Sequence, residues 1–181
     1  MFAFLSLTTF RTLLWALIGL TPHYGQKRAT TIPNSLQSGP SHVQYISDVN
    51  LDAPKVHPIN RTSFNFWYFD AVSLDSNASF TIVFDTSTGQ AIAQPDNNNI
   101  GSVIVWALFP NGTVFATDAF ATETVVTVEG QGSSAVFNGT GASFKEKPDL
   151  SRYEVKLDAP KMGIEGNVVF YSVGSSFGHD C

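Results

Sequence analysis

Cysteine is nearly absent from the sequence. The single cysteine, Cys181, is the last of the 181 residues. One cysteine excludes an internal disulfide framework and a metal centre built from cysteines within this chain. It leaves open that the chain is part of a longer protein, in which Cys181 pairs with a cysteine further on.

Charge is also scarce. Asp, Glu, Lys and Arg make up 14% of the residues and hydrophobic residues 43%, a composition that disfavours intrinsic disorder. Ten basic residues face 15 acidic ones, for a net charge of -5. Basic residues cluster no further than Lys27 and Arg28. The sequence therefore indicates neither a nucleic-acid binder nor a protein that docks on anionic lipid.

Motifs for metals and cofactors are missing as well. No P-loop occurs, and the histidines lie without the spacing of a metal site, at His23, His42, His57 and His179. The sequence therefore predicts no metal and no cofactor.

An apolar run opens the chain. Residues 13–20 form an apolar core behind Arg11, which predicts a signal peptide or signal anchor over residues 1–22. Arg11 disfavours a stable membrane span, so the signal peptide is preferred, and a soluble amphipathic start is the third possibility. Four sequons for N-glycosylation favour the secretory pathway or an extracellular location: Asn60, Asn77, Asn111 and Asn138.

The rest of the chain divides at residue 58. Residues 23–58 hold four prolines and predict an exposed, Pro-rich lead-in, and residues 59–181 predict one β-domain. Runs rich in β-branched and aromatic residues alternate with turn formers, and no long helical pattern is present. The predicted strands cover residues 64–74, 79–85, 102–109, 113–119, 122–129, 134–137, 153–157 and 164–173. The pattern predicts an all-β, antiparallel barrel or sandwich of about eight to nine strands.

The strand around Trp106 is apolar on both faces. Residues 103–109 read VIVWALF, so both sides of this strand must be covered. The cover could be a second layer, a partner domain or a ligand-filled lumen.

The densest aromatic run is FNFWYFD at residues 64–70. Strand alternation places Phe66, Tyr68 and Asp70 on one face and Trp67 and Phe69 on the other. In a pocket, Tyr68 could donate a hydrogen bond to the polar group of an apolar ligand, and Asp70 could accept one or act as a base. Alternatively, Phe66 and Tyr68 belong to the core and Asp70 caps a turn.

Three segments carry a family resemblance. The run FWYFDAVS at residues 66–73, the strands at 80–85 and 103–109, and the C-terminal stretch from residue 163 resemble the N-terminal half of the fungal Diels-Alderase proteins. That family belongs to a lipocalin-like superfamily that includes hydroxyneurosporene synthase-type proteins. The resemblance covers about residues 42–181 and implies that this chain is the first domain of a protein roughly twice as long.

The resemblance implies a cofactor-free [4+2] cycloaddition of a polyene in secondary metabolism. Tyr68 and Asp70 would then be the catalytic candidates, orienting the polar head of a polyketide or terpenoid substrate. The implied substrate-binding residues are Phe66, Trp67, Phe69 and Trp106. The alternatives are a secreted, glycosylated lipocalin-like protein that binds an apolar small molecule without catalysis, and an inactive fragment whose apolar strands need a second domain or partner chain.

Overall fold

A computed structural model describes residues 27–44, 50–92 and 98–173. The predicted signal segment at residues 1–22 and Cys181 lie outside the described residues, so these predictions stand as they were made. Within the described ranges no helix has the length and apolar character needed to cross a membrane.

The described chain is almost entirely β-structure. Its strands are β1 (Arg28–Pro33), β2 (His42–Val43), β3 (Val56–His57), β4 (Phe64–Val72), β5 (Ser79–Ser87), β6 (Gly101–Leu108), β7 (Val114–Phe120), β8 (Glu123–Glu129), β9 (Gly132–Asn138), β10 (Ala142–Glu146), β11 (Arg152–Ala159) and β12 (Ile164–Tyr171). Two single-turn 3-10 helices cover Gly89–Ile92 and Pro160–Met162.

The strands form two main antiparallel sheets. One has four strands in the order β4-β5-β6-β7, the other has six in the order β1-β8-β9-β10-β11-β12, and β2 and β3 form a separate small pair. Most neighbours are consecutive strands joined by short turns, as expected for hairpins. The all-β antiparallel prediction is confirmed in its sandwich form, because the sheets do not close into a barrel.

Aromatic rings fill the space between the two sheets. Phe84 of β5 is completely buried and lies 5.2 Å from Phe137 and 5.1 Å from Phe144, measured between ring centroids. From β4, the ring of Trp67 lies 5.2 Å from that of Phe144. Full burial of one such side chain is worth roughly 1.5–3 kcal/mol, so these contacts hold the four-stranded sheet on the six-stranded one.

The expected lead-in over residues 23–58 is only partly exposed, and here the structure corrects the prediction. Residues 28–33 form β1, which pairs with β8 at the edge of the six-stranded sheet and buries Ile32 in the core. Pro33 ends this strand, and an edge strand tolerates proline because one side of it needs no ladder hydrogen bonds. The β-fold therefore begins before residue 59.

The prediction also missed β10, whose sequence is ASFKE. Charged residues and nearby glycines conceal it, yet its Phe144 completes the aromatic core and its Glu146 is buried. The other main strands match the predicted runs to within a few residues at each end.

One turn depends on a glycine. Gly141, just before β10, has a φ of 81°, and a Cβ built on it would lie 1.9 Å from the carbonyl oxygen of Asp158. The backbone N–H of Asp158 donates to the carbonyl of Gly141 at 2.8 Å, so the two backbones are held together. Gly112 has a similar φ of 83° but no atom within 4 Å of such a Cβ.

We expect Gly141→Ala to destabilise the protein far more than Gly112→Ala. The conformational strain of a positive φ, on the order of 1 kcal/mol, is common to both variants, whereas the backbone clash occurs only at residue 141. Urea denaturation should give a loss of about 3 kcal/mol or more for Gly141→Ala. Equal losses for the two variants would show that the close approach to Asp158 is absent.

Candidate functional site

A cleft of about 400 Å³ opens along the β4 edge of the four-stranded sheet. Because β4 is the last strand of its sheet within the described chain, side chains from both of its faces reach this edge. The opposite wall comes from β10, β11, β12 and the segment before β3. The lining residues are Asp52, Phe66, Trp67, Tyr68, Phe69, Asp70, Glu146, Tyr153 and Phe170; we call this space the β4 cleft.

The predicted alternation of β4 is observed. Phe66, Tyr68 and Asp70 point outward, with Phe66 56% and Tyr68 55% exposed, whereas Trp67 and Phe69 point into the sandwich and are each 8% exposed. All five nevertheless line the β4 cleft, the first three at its rim and the two buried rings in its floor. The structure thus brings the catalytic candidates and three of the binding candidates together, and their roles remain predictions.

Trp106 is the exception. It lies on the outer face of the four-stranded sheet, away from the β4 cleft, and lines a separate cleft there. The strand register places it in one row with Asp70 and Thr81, because Asp70 pairs with Thr81 and Thr81 with Trp106. Two strand spacings, roughly 10 Å, therefore separate Trp106 from Asp70.

Two carboxyl groups that the sequence analysis missed lie at the floor of the β4 cleft. Glu146 on β10 is 6% exposed, and its Oε2 accepts hydrogen bonds from the backbone N–H of Ser133 at 2.8 Å and from the Ser133 hydroxyl at 3.3 Å. Its side chain also hydrogen-bonds that of Asp52. A buried carboxyl group in contact with a half-buried one holds a proton, since two adjacent negative charges are unfavourable away from water.

Burial sets the protonation state of this pair. Burial, with the Asp52 carboxyl beside it, raises the pKa of Glu146 to about 8. Burial also raises the pKa of Asp52, while the hydrogen bond from Glu146 and the charge of Lys55 act in the opposite direction. Glu146 is therefore the proton carrier and donor of the pair at neutral pH, and Asp52 is the acceptor.

Trp67 positions Asp52. The indole Nε1 donates to the backbone carbonyl of Asp52 at 3.0 Å, and the backbone N–H of Asp52 donates to the carbonyl of Gln131 at 3.0 Å. The segment that carries Asp52 is thus fixed to β4 on one side and to the β8–β9 turn on the other. Trp67, which the sequence analysis predicts to contact substrate, therefore also positions Asp52, one member of the carboxyl pair.

Tyr153 adds a second neutral donor to the cleft. Burial and the nearby carboxyl groups of Asp52 and Glu146 raise the pKa of its phenol to about 12, so the hydroxyl keeps its proton. Its ring lies 6.5 Å from that of Phe69. The β4 cleft therefore combines aromatic walls with neutral O–H donors, an arrangement that can bind an apolar molecule and donate a hydrogen bond to one of its oxygens.

Metal binding has no support in the part of the chain that the structure describes. No group of three or more His, Cys, Asp or Glu side chains there is arranged to hold an ion.

Comparison with known proteins confirms the resemblance seen in the sequence. The model of the Diels-Alderase-like family matches residues 34–180. The quinolone epoxide rearrangement protein asqO of Emericella nidulans is 36% identical over 145 residues, which are 78% of this chain and 40% of that protein. The Diels-Alderase phmD of Phaeosphaeria nodorum is 27% identical over 115 residues, 62% of this chain and 31% of that protein.

A solved structure gives the same result. The crystal structure of CghA with Sch210972 superposes with a TM-score of 0.65 at 27% identity and covers 81% of this chain and 40% of that one. The chain thus spans well under half the length of these relatives.

The carboxyl pair predicts an unusual pH dependence of stability. With its pKa raised from 4.5 to about 8, Glu146 keeps a proton in the folded state that it loses in the unfolded state. The free energy of unfolding should therefore fall as the pH rises, by up to about 1.4 kcal/mol per pH unit, until the folded-state pKa is passed. Glu146→Gln should remove this slope and stabilise the protein by about 2 kcal/mol or more at pH 8.5.

Urea denaturation at pH 6.5, 7.5 and 8.5 measures this slope. The matched control is Glu165→Gln, because Glu165 is exposed on β12 and should leave the slope unchanged. A Glu146→Gln variant with the parent's slope would mean that Glu146 does not hold the proton.

Proposed function

Because the chain belongs to the Diels-Alderase-like family, we propose that it forms the pocket-bearing N-terminal domain of a cofactor-free cyclase of secondary metabolism. The substrate would be an apolar polyketide or terpenoid that carries an activating oxygen. The observation that supports this most directly is the proton-bearing Glu146 at the floor of the aromatic β4 cleft.

The two parts of the cleft match the two needs of a pericyclic reaction. A [4+2] cycloaddition needs no nucleophile, so a protein can accelerate it by holding a flexible polyene in a reactive conformation. The rings of Trp67, Phe69 and Phe170 offer the apolar surface for that conformation. When the carbonyl next to the dienophile replaces Asp52 as the acceptor, a hydrogen bond from Glu146 stabilises the charge that develops there in the transition state.

The same geometry suits a second reaction of the family. The relatives asqO and penF are quinolone epoxide rearrangement proteins, and each is 36% identical to this chain over the matched residues. In an epoxide rearrangement Glu146 would donate its proton to the epoxide oxygen as a C–O bond breaks, and a proton lost later from the substrate would restore the acid. Both reactions therefore require an apolar cleft and one acid aimed at an oxygen.

The rim residues would act on the polar end of the substrate. Tyr68 can donate a hydrogen bond and Asp70 can accept one, and both lie exposed beside the opening. An opening with such an exposed rim needs a further wall to exclude water. We propose that a second domain, or a partner chain, supplies this wall, which fits the larger size of the relatives.

We expect Glu146→Gln to slow turnover and leave substrate binding nearly unchanged. General acid catalysis commonly contributes about 100-fold or more, so kcat should fall by roughly that factor while KM changes little. The assay incubates the protein with an acyclic polyene bearing an unsaturated carbonyl, and separately with a quinolone epoxide, and follows the cyclised or rearranged product by chromatography and mass spectrometry.

Two further variants complete the test. Glu165→Gln is the matched control and should keep parental rates, and Tyr68→Phe tests the proposed orientation of the polar head through its KM. Equal turnover by Glu146→Gln and the parent protein would refute the role of Glu146. Tight binding of both substrates without any product would instead favour a carrier protein over a cyclase.

We propose further that the chain enters the secretory pathway and carries glycans on two of its four sequons. Asn77 and Asn111 are exposed at the ends of hairpins. Asn138 is less suitable, because its Nδ2 donates to Glu123 at 2.9 Å and the hydroxyl of Thr140, the third residue of that sequon, is buried and donates to Phe137.

The intact mass of the protein from its source cells, before and after enzymatic deglycosylation, tests this. We expect a mass loss that disappears in the Asn77→Gln, Asn111→Gln double variant. A mass that deglycosylation does not change would refute the glycosylation proposal.

A further inference from the structure

A second buried acid lies on the opposite side of the four-stranded sheet. Asp85 of β5 is 4% exposed and stands in a cross-strand row between Phe66 of β4 and Ser102 of β6, with Phe120 of β7 beyond. It lines a cleft of about 290 Å³ together with Trp106, Asp118 and Phe120. We call this space the outer cleft.

The two oxygens of the Asp85 carboxylate differ in the hydrogen bonds they accept. Oδ2 accepts hydrogen bonds from the hydroxyls of Ser87 at 2.5 Å and Ser102 at 3.4 Å. Within the described part of the chain Oδ1 is buried and accepts none. A buried carboxylate oxygen without a donor is unfavourable, so a ligand that donates to Oδ1 would be favoured there.

The charge around Asp85 is of one sign. Strands β4, β5, β6 and β7 contain no Lys, Arg or His, so no basic side chain of this sheet neutralises the acid. Asp118 lines the same cleft, and Asp70 lies on the same face at its β4 side. The outer cleft therefore attracts a cation and repels an anion.

The walls of the outer cleft are aromatic. Trp106 is 39% and Phe120 44% exposed, so parts of both rings remain available to a ligand. Aromatic faces attract organic ammonium ions, tryptophan most strongly. Phe120 lies in the same cross-strand row as Asp85 and lines the same cleft.

We propose that the outer cleft binds an organic ammonium ion with an apolar body. The N–H groups of the ammonium would donate to Oδ1 of Asp85, the carboxylate of Asp118 would add to the negative potential of the cleft, and the apolar body would pack on its aromatic wall. A neutral apolar molecule would leave Oδ1 without a donor, and an anion would meet two carboxylates. This inference does not rest on the proposed reaction in the β4 cleft.

Burial raises the pKa of Asp85 to about 6, so the carboxylate is mostly ionised at pH 7.5 and can accept the ammonium. The other titratable groups on this face are Tyr68 and Asp70 of β4 and Asp118 of β7.

The test titrates the protein with phenethylammonium at pH 7.5, with 2-phenylethanol and phenylacetate as probes of the same shape. Binding is measured by calorimetry and located by backbone amide chemical shifts. We expect the ammonium to bind at least 10-fold more tightly than the alcohol, with shifts centred on β5, β6 and β7. Phenylacetate should not bind measurably.

Substitutions assign the carboxylates. Asp85→Asn should weaken binding of the ammonium at least 10-fold, and Asp75→Asn, in the exposed turn after β4, should leave it unchanged. If Asp85→Asn does not fold, Asp118→Asn should still weaken binding several-fold. The proposal would be overturned if the ammonium and the alcohol bound with equal affinity. It would also be overturned if folded Asp85→Asn or Asp118→Asn bound the ammonium as the parent does, or if the amide shifts were centred on the β4 cleft.

Discussion

The contact between the aromatic rings of β4 and the six-stranded sheet is the constraint on which the rest of the structure depends. Among the strands of the described residues, β4 has hydrogen-bonded ladder contacts only with β5, so its side chains must hold it against the other sheet. The ring of Trp67 packs on Phe144, and that of Phe69 on both Phe144 and Phe170. These ring contacts join the edge of the four-stranded sheet to the six-stranded sheet without strand pairing. The β4 cleft is the space that the rings leave unfilled along this edge.

The same contact between the sheets explains why the carboxyl group of Glu146 is buried. Phe144 and Glu146 are two residues apart on β10, so strand alternation turns both toward the interior. The ring of Phe144 fills the core, and the carboxyl group of Glu146 loses its contact with water because it lies beside that ring. Ser133 and Asp52 satisfy the Glu146 oxygens, and Trp67 holds the Asp52 backbone, so the packing that stabilises the fold also fixes the acid.

Local pattern was enough to predict most of the fold. Alternating aromatic and β-branched runs identified the main strands, and the alternation of β4 correctly separated Tyr68 and Asp70 from Trp67. The pattern failed where burial depends on distant residues. β1 is a strand because β8 pairs with it, and Glu146 reads as part of a solvated KEK run until Asp52, far away in sequence, covers it. The periodicity of a single sequence does not show which distant residues come into contact, so the pairing of Asp52 with Glu146 could not be predicted.

The two buried acids of this domain show opposite solutions to one problem. Glu146 shares a proton with a neighbouring carboxyl group, so the pair carries one negative charge instead of two and Glu146 keeps an O–H group. Among the described residues Asp85 has hydroxyl donors on only one oxygen, and the strands of its sheet carry no cation, which is the basis of the proposed ammonium site. A site that donates hydrogen bonds suits an oxygen-bearing substrate, and a site that accepts them suits an ammonium ion. Since one sheet separates them, one domain can present both chemistries without either carboxyl group neutralising the other.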